Sequence, residues 1–343
     1  LMAMDGVLYA KYNVIDTPDV DPEQGSQRII EDPADLLVSP FGWHDTNGIA
    51  GPEFTDTRGN NVLVETGALF GIPPNPIGIR ADGGVDLEFL DIFDPAQGHD
   101  VLQNQLASTT QAFFTINETH DILARYGFDE AAGNFQTTNY TGTGVPGDAL
   151  LVNVDDPDAL CNAFASIGQP SPSPFAKVDG TSVELQMGFC DSTLPFLPNP
   201  VVPGRDSGMD NTTLIHEFGH ALTARLIGGP LWMQGGLPFS QIDAMHEGNS
   251  DYLALISGMK ATDDPADPKQ DGIWWSDYQL TRRQPYSYDF TIDGRDYEDW
   301  NLLLDPDTGA PNTESHQAGE IWASTLYDMT WELIFKYGGA RDG

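Results

Sequence analysis

The residues with the most chemical potential stand together in one stretch, His216-Glu217-Phe218-Gly219-His220. Two histidines four apart on a helix lie on one face, one turn from each other, so their imidazoles can hold a single zinc ion. Glu217 then stands beside the metal as a general base. The stretch from Asp210 to Arg225 has the pattern of such a helix. Leu214, Ile215, Phe218, Ala221, Leu222 and Leu226 recur at three- and four-residue spacing. Asp210 or Asn211 supplies an N-cap, and Gly228-Gly229-Pro230 ends the element. Two histidines half-buried on an ordinary core helix are the plain alternative, and what lies downstream decides between the two.

A catalytic zinc needs a third protein ligand and one open position. Residues 240–256 form a second predicted helix, carrying Met245-His246-Glu247-Gly248-Asn249-Ser250-Asp251. Glu247 and Asp251 are four apart and share a face. Glu247 as ligand completes a His2Glu set, and Asp251 can accept the free ring N–H of His216 or His220. His246 is the rival ligand, but as the neighbour of Glu247 it points about 100° away around the helix, toward the wall of a cleft.

These elements sit in a longer order. Residues 7–14 and 61–65 read as strands among Pro, Gly and Asp clusters, and residues 102–126 as a long helix ended by Gly127. A strand follows at 147–154, then a loop-rich tract over 159–210. After the two site helices, residues 261–313 read as irregular and acidic, and a last long helix covers 315–337. Strands first and helices later imply an α+β fold.

Several stretches together resemble the fungalysin family of secreted zinc metalloproteases. They are His216-Glu-Phe-Gly-His220, Arg225-Leu-Ile-Gly-Gly-Pro230 and Met245-His-Glu-Gly-Asn-Ser-Asp251. Tyr126 to Gln136, Arg283-Gln-Pro-Tyr-Ser287 and His316 to Tyr327 match further family segments. The resemblance implies a thermolysin-like fold, with a β-rich N-terminal lobe (1–230) ending in the HExxH helix. A mainly helical lobe (231–343), shortened relative to the family, would face it across a zinc cleft. It implies His216, His220 and Glu247 as zinc ligands, Glu217 as catalytic base, and Asp251 as the acid that orients a zinc-bound histidine. His316 would reach across the cleft to the oxyanion. The strand ending in Asn153 and Val154 would be the edge on which a peptide lies antiparallel, with both residues binding its backbone. The activity implied is endoproteolysis of extracellular proteins by a zinc-activated water, from a secreted monomer whose precursor carries an N-terminal propeptide. The chain departs from the family at Gly219 for Thr, His246 for Gly and Asn249 for Trp. None of these removes a ligand.

Composition sets outer limits. With 15 Lys+Arg against 52 Asp+Glu the formal net charge is −37, which repels nucleic acid and anionic membranes. No apolar run has membrane-spanning length. Cys161 and Cys190 are the two cysteines, and a disulfide between them is expected over two buried thiols. Asp263 to Asp271 and Asp305 to Asp307 have oxygen-rich spacing that admits calcium, although a solvated acidic loop is the plainer account. Sequons occur at Asn117, Asn139 and Asn211. A zinc aminopeptidase and a non-catalytic, metal-stabilised acidic binding module are the alternatives to an endopeptidase.

Overall fold

A computed structural model describes residues 10–67, 78–167, 177–191, 203–227, 239–276, 282–299 and 315–338. A small sheet is built from β1 (Lys11–Val14), β2 (Arg28–Glu31) and β4 (Glu88–Phe89), in the order β2-β1-β4. The larger sheet contains β3 (Val62–Thr66), β5 (Leu150–Asp156), β6 (Ala163–Ser166) and β7 (Glu184–Cys190), in the order β3-β5-β7-β6, with β8 (Arg205–Asp206) also on β7. Five helices accompany the sheets among the described residues: α1 (Leu102–Arg125), α2 (Asn211–Leu226), α3 (Phe239–Ser257), α4 (Ile273–Ser276) and α5 (Ser315–Tyr337). The chain is thus mixed α+β, consistent with a thermolysin-like metalloprotease fold.

Strands β3, β5 and β7 run parallel, and β6 pairs antiparallel with β7. Parallel neighbours need long crossovers, and α1 lies in the one between β3 and β5. One core joins sheet and helices: Val62, Val64, Leu150, Val152 and Val154 from the strands, Phe113, Phe114 and Ile116 from α1, and Leu214 and Phe218 from α2. Filling that core puts α2 against the sheet with its opposite face left for α3.

Two readings of the sequence change here. The tract 159–210, read as loop-rich, contains two strands the sequence reading did not pick out, β6 and β7. Strand β7, Glu184-Leu-Gln-Met-Gly-Phe-Cys190, is buried on both faces at Leu185 to Gly188, so it lacks the alternation that marks a half-exposed strand. In addition β5 is an interior strand, hydrogen-bonded to β3 on one side and β7 on the other. It therefore has no edge for a peptide at Asn153 and Val154. The antiparallel edge in the described sheet is β6.

Cys161 and Cys190 form a disulfide with 29 residues of separation, tying the base of β6 to the end of β7. Closing a loop of that length removes roughly 3.5 kcal/mol of unfolded-state entropy. Asn117 and Asn211 are buried, which leaves no room for a glycan at either.

The acidic composition reaches into the interior. Burial, reinforced by Asp155, pushes the Asp206 carboxyl up to about 7, and burial with Asp21 and Asp271 pushes Asp210 up to about 8. Glu118 on α1 is pushed up to about 7 by burial first and the charge of Asp16 second. A carboxyl whose folded pKa is raised favours folding while it stays protonated, and that contribution is lost as pH rises through the folded value. For Glu118 the window runs from its unfolded value near 4.3 to about 7. Glu118→Gln is therefore expected to raise stability at pH 8 by about 1–3 kcal/mol and to change it little at pH 5. Denaturant unfolding of both proteins at the two pH values measures this; an equal effect at both would rule out the ionisation as its cause.

Candidate metal centre

Helix α2 begins where the sequence expects it. Asp210 caps it, its Oδ1 accepting from Thr213 N at 3.2 Å and from Thr212 Oγ1 at 2.5 Å. Asn211 instead anchors the helix to its surroundings. It accepts from Gln111 Nε2 at 2.9 Å and Thr115 Oγ1 at 2.7 Å on α1, and donates to the Ile15 carbonyl at 2.9 Å. At the other end Arg225 is fully buried, bonded to Asp148 and the Gly133 carbonyl, each at 2.9 Å, and to the Thr181 carbonyl at 2.7 Å. Fixed at both ends, the helix presents its histidines in a set orientation.

Two close helix approaches then assemble the site. A Cβ at Gly219 would lie 2.7 Å from Ser250 Cα on α3, so only glycine between the histidines allows α3 this near. Glu247, three residues before Ser250 on α3, is thereby carried over the two imidazoles. A Cβ at Gly319 on α5 would lie 2.5 Å from Glu247 Cβ and 2.8 Å from Gly248 N. That contact carries His316, three residues before Gly319, to the far side of Glu247. The glycine at 219, a departure from the family motif, is thus matched to a small partner at Ser250.

The resulting distances are short. Glu247 Oε2 is 3.5 Å from His216 Nε2, and Glu247 Oε1 is 3.8 Å from His220 Nε2 and 3.4 Å from His316 Nε2. The two imidazole centroids are 4.7 Å apart with their planes at 84°. On the other edge of its ring, His216 Nδ1 lies 2.8 Å from Asp251 Oδ1, at ion-pair distance but off the line of a hydrogen bond. Glu217 is buried, and its Oε2 has no hydrogen-bond partner. His316 is about half exposed. His246 is buried, with its ring 5.6 Å from that of His220.

Electrostatics divide these groups. Burial works against a charged Glu247, but the hydrogen bond from His216 and the positive charge of His220, His216 and His316 outweigh it and hold the carboxyl down at about 2. Asp251 is held well below the usual carboxylate range, because the Arg282 guanidinium and His216 outweigh its burial. Glu217 goes the other way: burial, aided by Glu247 and Asp271, pushes it up to about 7. Burial, with the charge of His216, drives His220 well below its ordinary value. His246 falls to about 4 through burial. On His216, burial is outweighed by Asp251, Asp271 and Glu247, which favour its protonated form.

Three neighbours were not read from the sequence as part of the site. Arg282 Nε and one terminal nitrogen donate to the two oxygens of Asp251 at 2.7 Å each, and that nitrogen lies 3.3 Å from Glu247 Oε2. The Tyr286 hydroxyl also donates to Asp251. Asp271 Oδ2 is 3.4 Å from His216 Nδ1. The adjacent pair Arg282-Arg283 was itself a signal in a chain with 15 basic residues against 52 acidic ones. Arg283 and Arg295 bind Glu320 of α5 at 2.9 and 3.1 Å, so this loop also ties down the helix that carries His316.

The other residues singled out in the sequence have partners of their own. Asn153 Nδ2 donates to Glu184 at 2.7 Å, and the Val154 side chain is buried, its carbonyl accepting from Gly67 N at 2.7 Å. Of the calcium candidates, Asp263 is paired with Lys269 at 2.7 Å and Asp267 accepts from Asp264 N at 2.8 Å, as loop-capping carboxylates do. Residues 305–307 lie outside the described residues. No helix among the described residues is long and apolar enough to cross a membrane.

A helix-borne histidine pair with an in-line glutamate, faced by a carboxylate from the next helix, is the plan of an HExxH metallopeptidase. Sequence comparison supplies the family. The model of the fungalysin metallopeptidase family (M36) matches residues 11–342, and the chain belongs to that family. It is 32% identical over 338 residues to an extracellular metalloproteinase of Pyrenophora tritici-repentis, covering 97% of this chain and 46% of the relative. It is likewise 32% identical over 326 residues to the extracellular metalloproteinase MEP of Fusarium vanettenii, covering 93% of this chain and 45% of the relative. The chain spans about half the length of the curated relatives it matches.

Proposed function

We propose that this chain forms the metal-binding core of a secreted zinc endopeptidase, with His216, His220 and Glu247 as the ligands and Glu217 as general base. The observation that carries the reading is the convergence of His216 Nε2, His220 Nε2 and the two Glu247 oxygens beside a buried carboxylate oxygen of Glu217 that has no partner. Tetrahedral zinc with bonds near 2.0–2.1 Å needs its ligand atoms about 3.4 Å apart. Glu247 Oε2 lies 3.5 Å from His216 Nε2 and Glu247 Oε1 lies 3.8 Å from His220 Nε2, so each imidazole meets its own carboxylate oxygen near that spacing. Glu217 also lies within reach, since ligand-capable atoms of His216, Glu217 and His220 fall within 4.8 Å of one another. Glu247 is the better ligand because both of its oxygens face imidazole nitrogens and it is firmly ionised. Glu217 is the better base because its carboxyl is poised near neutrality.

When bound, zinc supplies a Lewis acid that acidifies water and polarises the scissile carbonyl. The protein's own groups do the rest. Glu217 accepts the proton of the attacking water and passes it to the departing amine. His316, across Glu247 from the zinc helix, donates to the developing oxyanion. Arg282 balances the charge of Asp251, and a peptide substrate adds to the sheet at the antiparallel edge strand β6, next to α2, by main-chain pairing. On this reading the cleft divides a β-rich part ending near residue 230 from a helical part beyond it. Extracellular proteins are its substrates, and the enzyme acts as a monomer released from an N-terminal propeptide.

The test is hydrolysis of an internally quenched peptide blocked at its N-terminus. Activity is expected to vanish with a chelator and to return with stoichiometric zinc. Cleavage that persists after complete metal removal would reject the reading, and activity confined to unblocked peptides would make the enzyme an aminopeptidase.

A further inference from the structure

His216 Nδ1, the ring nitrogen turned away from Glu247, faces two carboxylates: Asp251 Oδ1 at 2.8 Å and Asp271 Oδ2 at 3.4 Å. All three side chains are buried, and their ligand-capable atoms lie within 4.8 Å of one another. Asp251 is already heavily engaged, since both its oxygens accept from Arg282 at 2.7 Å and one accepts from Tyr286. Its charge is largely balanced by that guanidinium. Asp271 adds a second negative charge to the same nitrogen, from a different part of the chain.

The way Asp271 is delivered argues for a built contact. Gly272 N donates to Thr212 Oγ1 at 3.1 Å, and Trp275 Nε1 donates to Thr213 Oγ1 at 2.9 Å. Thr212 precedes His216 by four residues on α2 and so shares its face. The loop before α4 is therefore clamped to the first turn of the zinc helix, and Asp271 reaches His216 one turn further on.

We infer that Asp271 is a positioning residue for His216. Together with Asp251 it holds the imidazole with its proton on Nδ1 and strengthens Nε2 as a donor to the cation. The inference rests on the metal-site reading above. Outer carboxylates of this kind fix the tautomer and ring orientation of a ligating histidine and raise its basicity. The second carboxylate has a specific reason here, because Arg282 draws on much of the charge that Asp251 would otherwise lend.

The experiment compares wild type, Asp271→Asn and Glu247→Ala by zinc competition against a chelating dye and by the visible absorption of the cobalt(II)-loaded proteins. Asp271→Asn is expected to weaken zinc by about 10–100-fold and to shift the cobalt bands at saturation, which a purely structural role would leave in place. Affinity within twofold of wild type, with superimposable cobalt spectra, would overturn the inference. A second equivalent of metal in wild type that disappears in Asp271→Asn would also overturn it, by making Asp271 a ligand in its own right. Wild-type metal binding by Glu247→Ala would instead reject the underlying site. If Asp271→Asn does not fold, Trp275→Phe, which removes the indole bond that clamps the loop together with part of a buried ring, carries the same two readouts.

Discussion

Glu217→Gln is expected to leave metal binding unchanged and to lower kcat/KM by at least about 10²–10⁴-fold, the usual contribution of a positioned acid–base group. That corresponds to about 2.7–5.5 kcal/mol in the barrier. The substitution keeps the size of the side chain and an acceptor oxygen, but the amide cannot take a proton from water and return it. Wild-type Glu217 is suited to that exchange because its buried Oε2 has no partner and, before a cation binds, burial pushes its carboxyl up to about 7. A dication held by the neighbouring histidines favours the ionised form, which is the one a base requires. Metal analysis and turnover on the quenched peptide, measured on the same preparation, decide the matter. Turnover within tenfold of wild type would assign the base to another group.

The second large effect is expected at Glu247. Glu247→Ala should weaken zinc by more than about 10²-fold, beyond the range typical of an outer partner, because in the proposed site it removes one of three ligands. The alanine keeps the Cβ that packs against Gly319, so the approach of α5 survives and the loss isolates the carboxylate. It also leaves Arg282 and His316 facing His216 and His220 without the anion between them, which adds positive charge where a cation must bind. Metal content per chain after dialysis is the measurement. Retention of a full equivalent would move the third ligand elsewhere, with Glu217 the carboxylate grouped with both histidines.

What the sequence determined alone is local. Periodicity located α1, α2, α3 and α5 to within a residue or two, because a buried stripe at 3.6-residue spacing is written into each element. For the same reason the pairing of His216 with His220 needed no structure. Glu247 was a candidate from its place on the next predicted helix, and the spacing of family motifs supported it. The physical cause of that place is the contact of Gly219 with Ser250, which no single helix reveals.

Strand order was not legible. Parallel pairing joins residues far apart in the chain, and a strand covered on both faces loses the alternation that would mark it. Hence β7 looked like loop, and β5 was taken for an edge when it is interior. Arg282, Tyr286 and Asp271 come from loops whose route depends on what they pack against, so tertiary structure alone brings them to His216. Side chains one helical turn apart are placed by backbone geometry, whereas a charge partner from 30 or more residues away, such as Arg282 for Asp251, is placed by the packing of the whole domain.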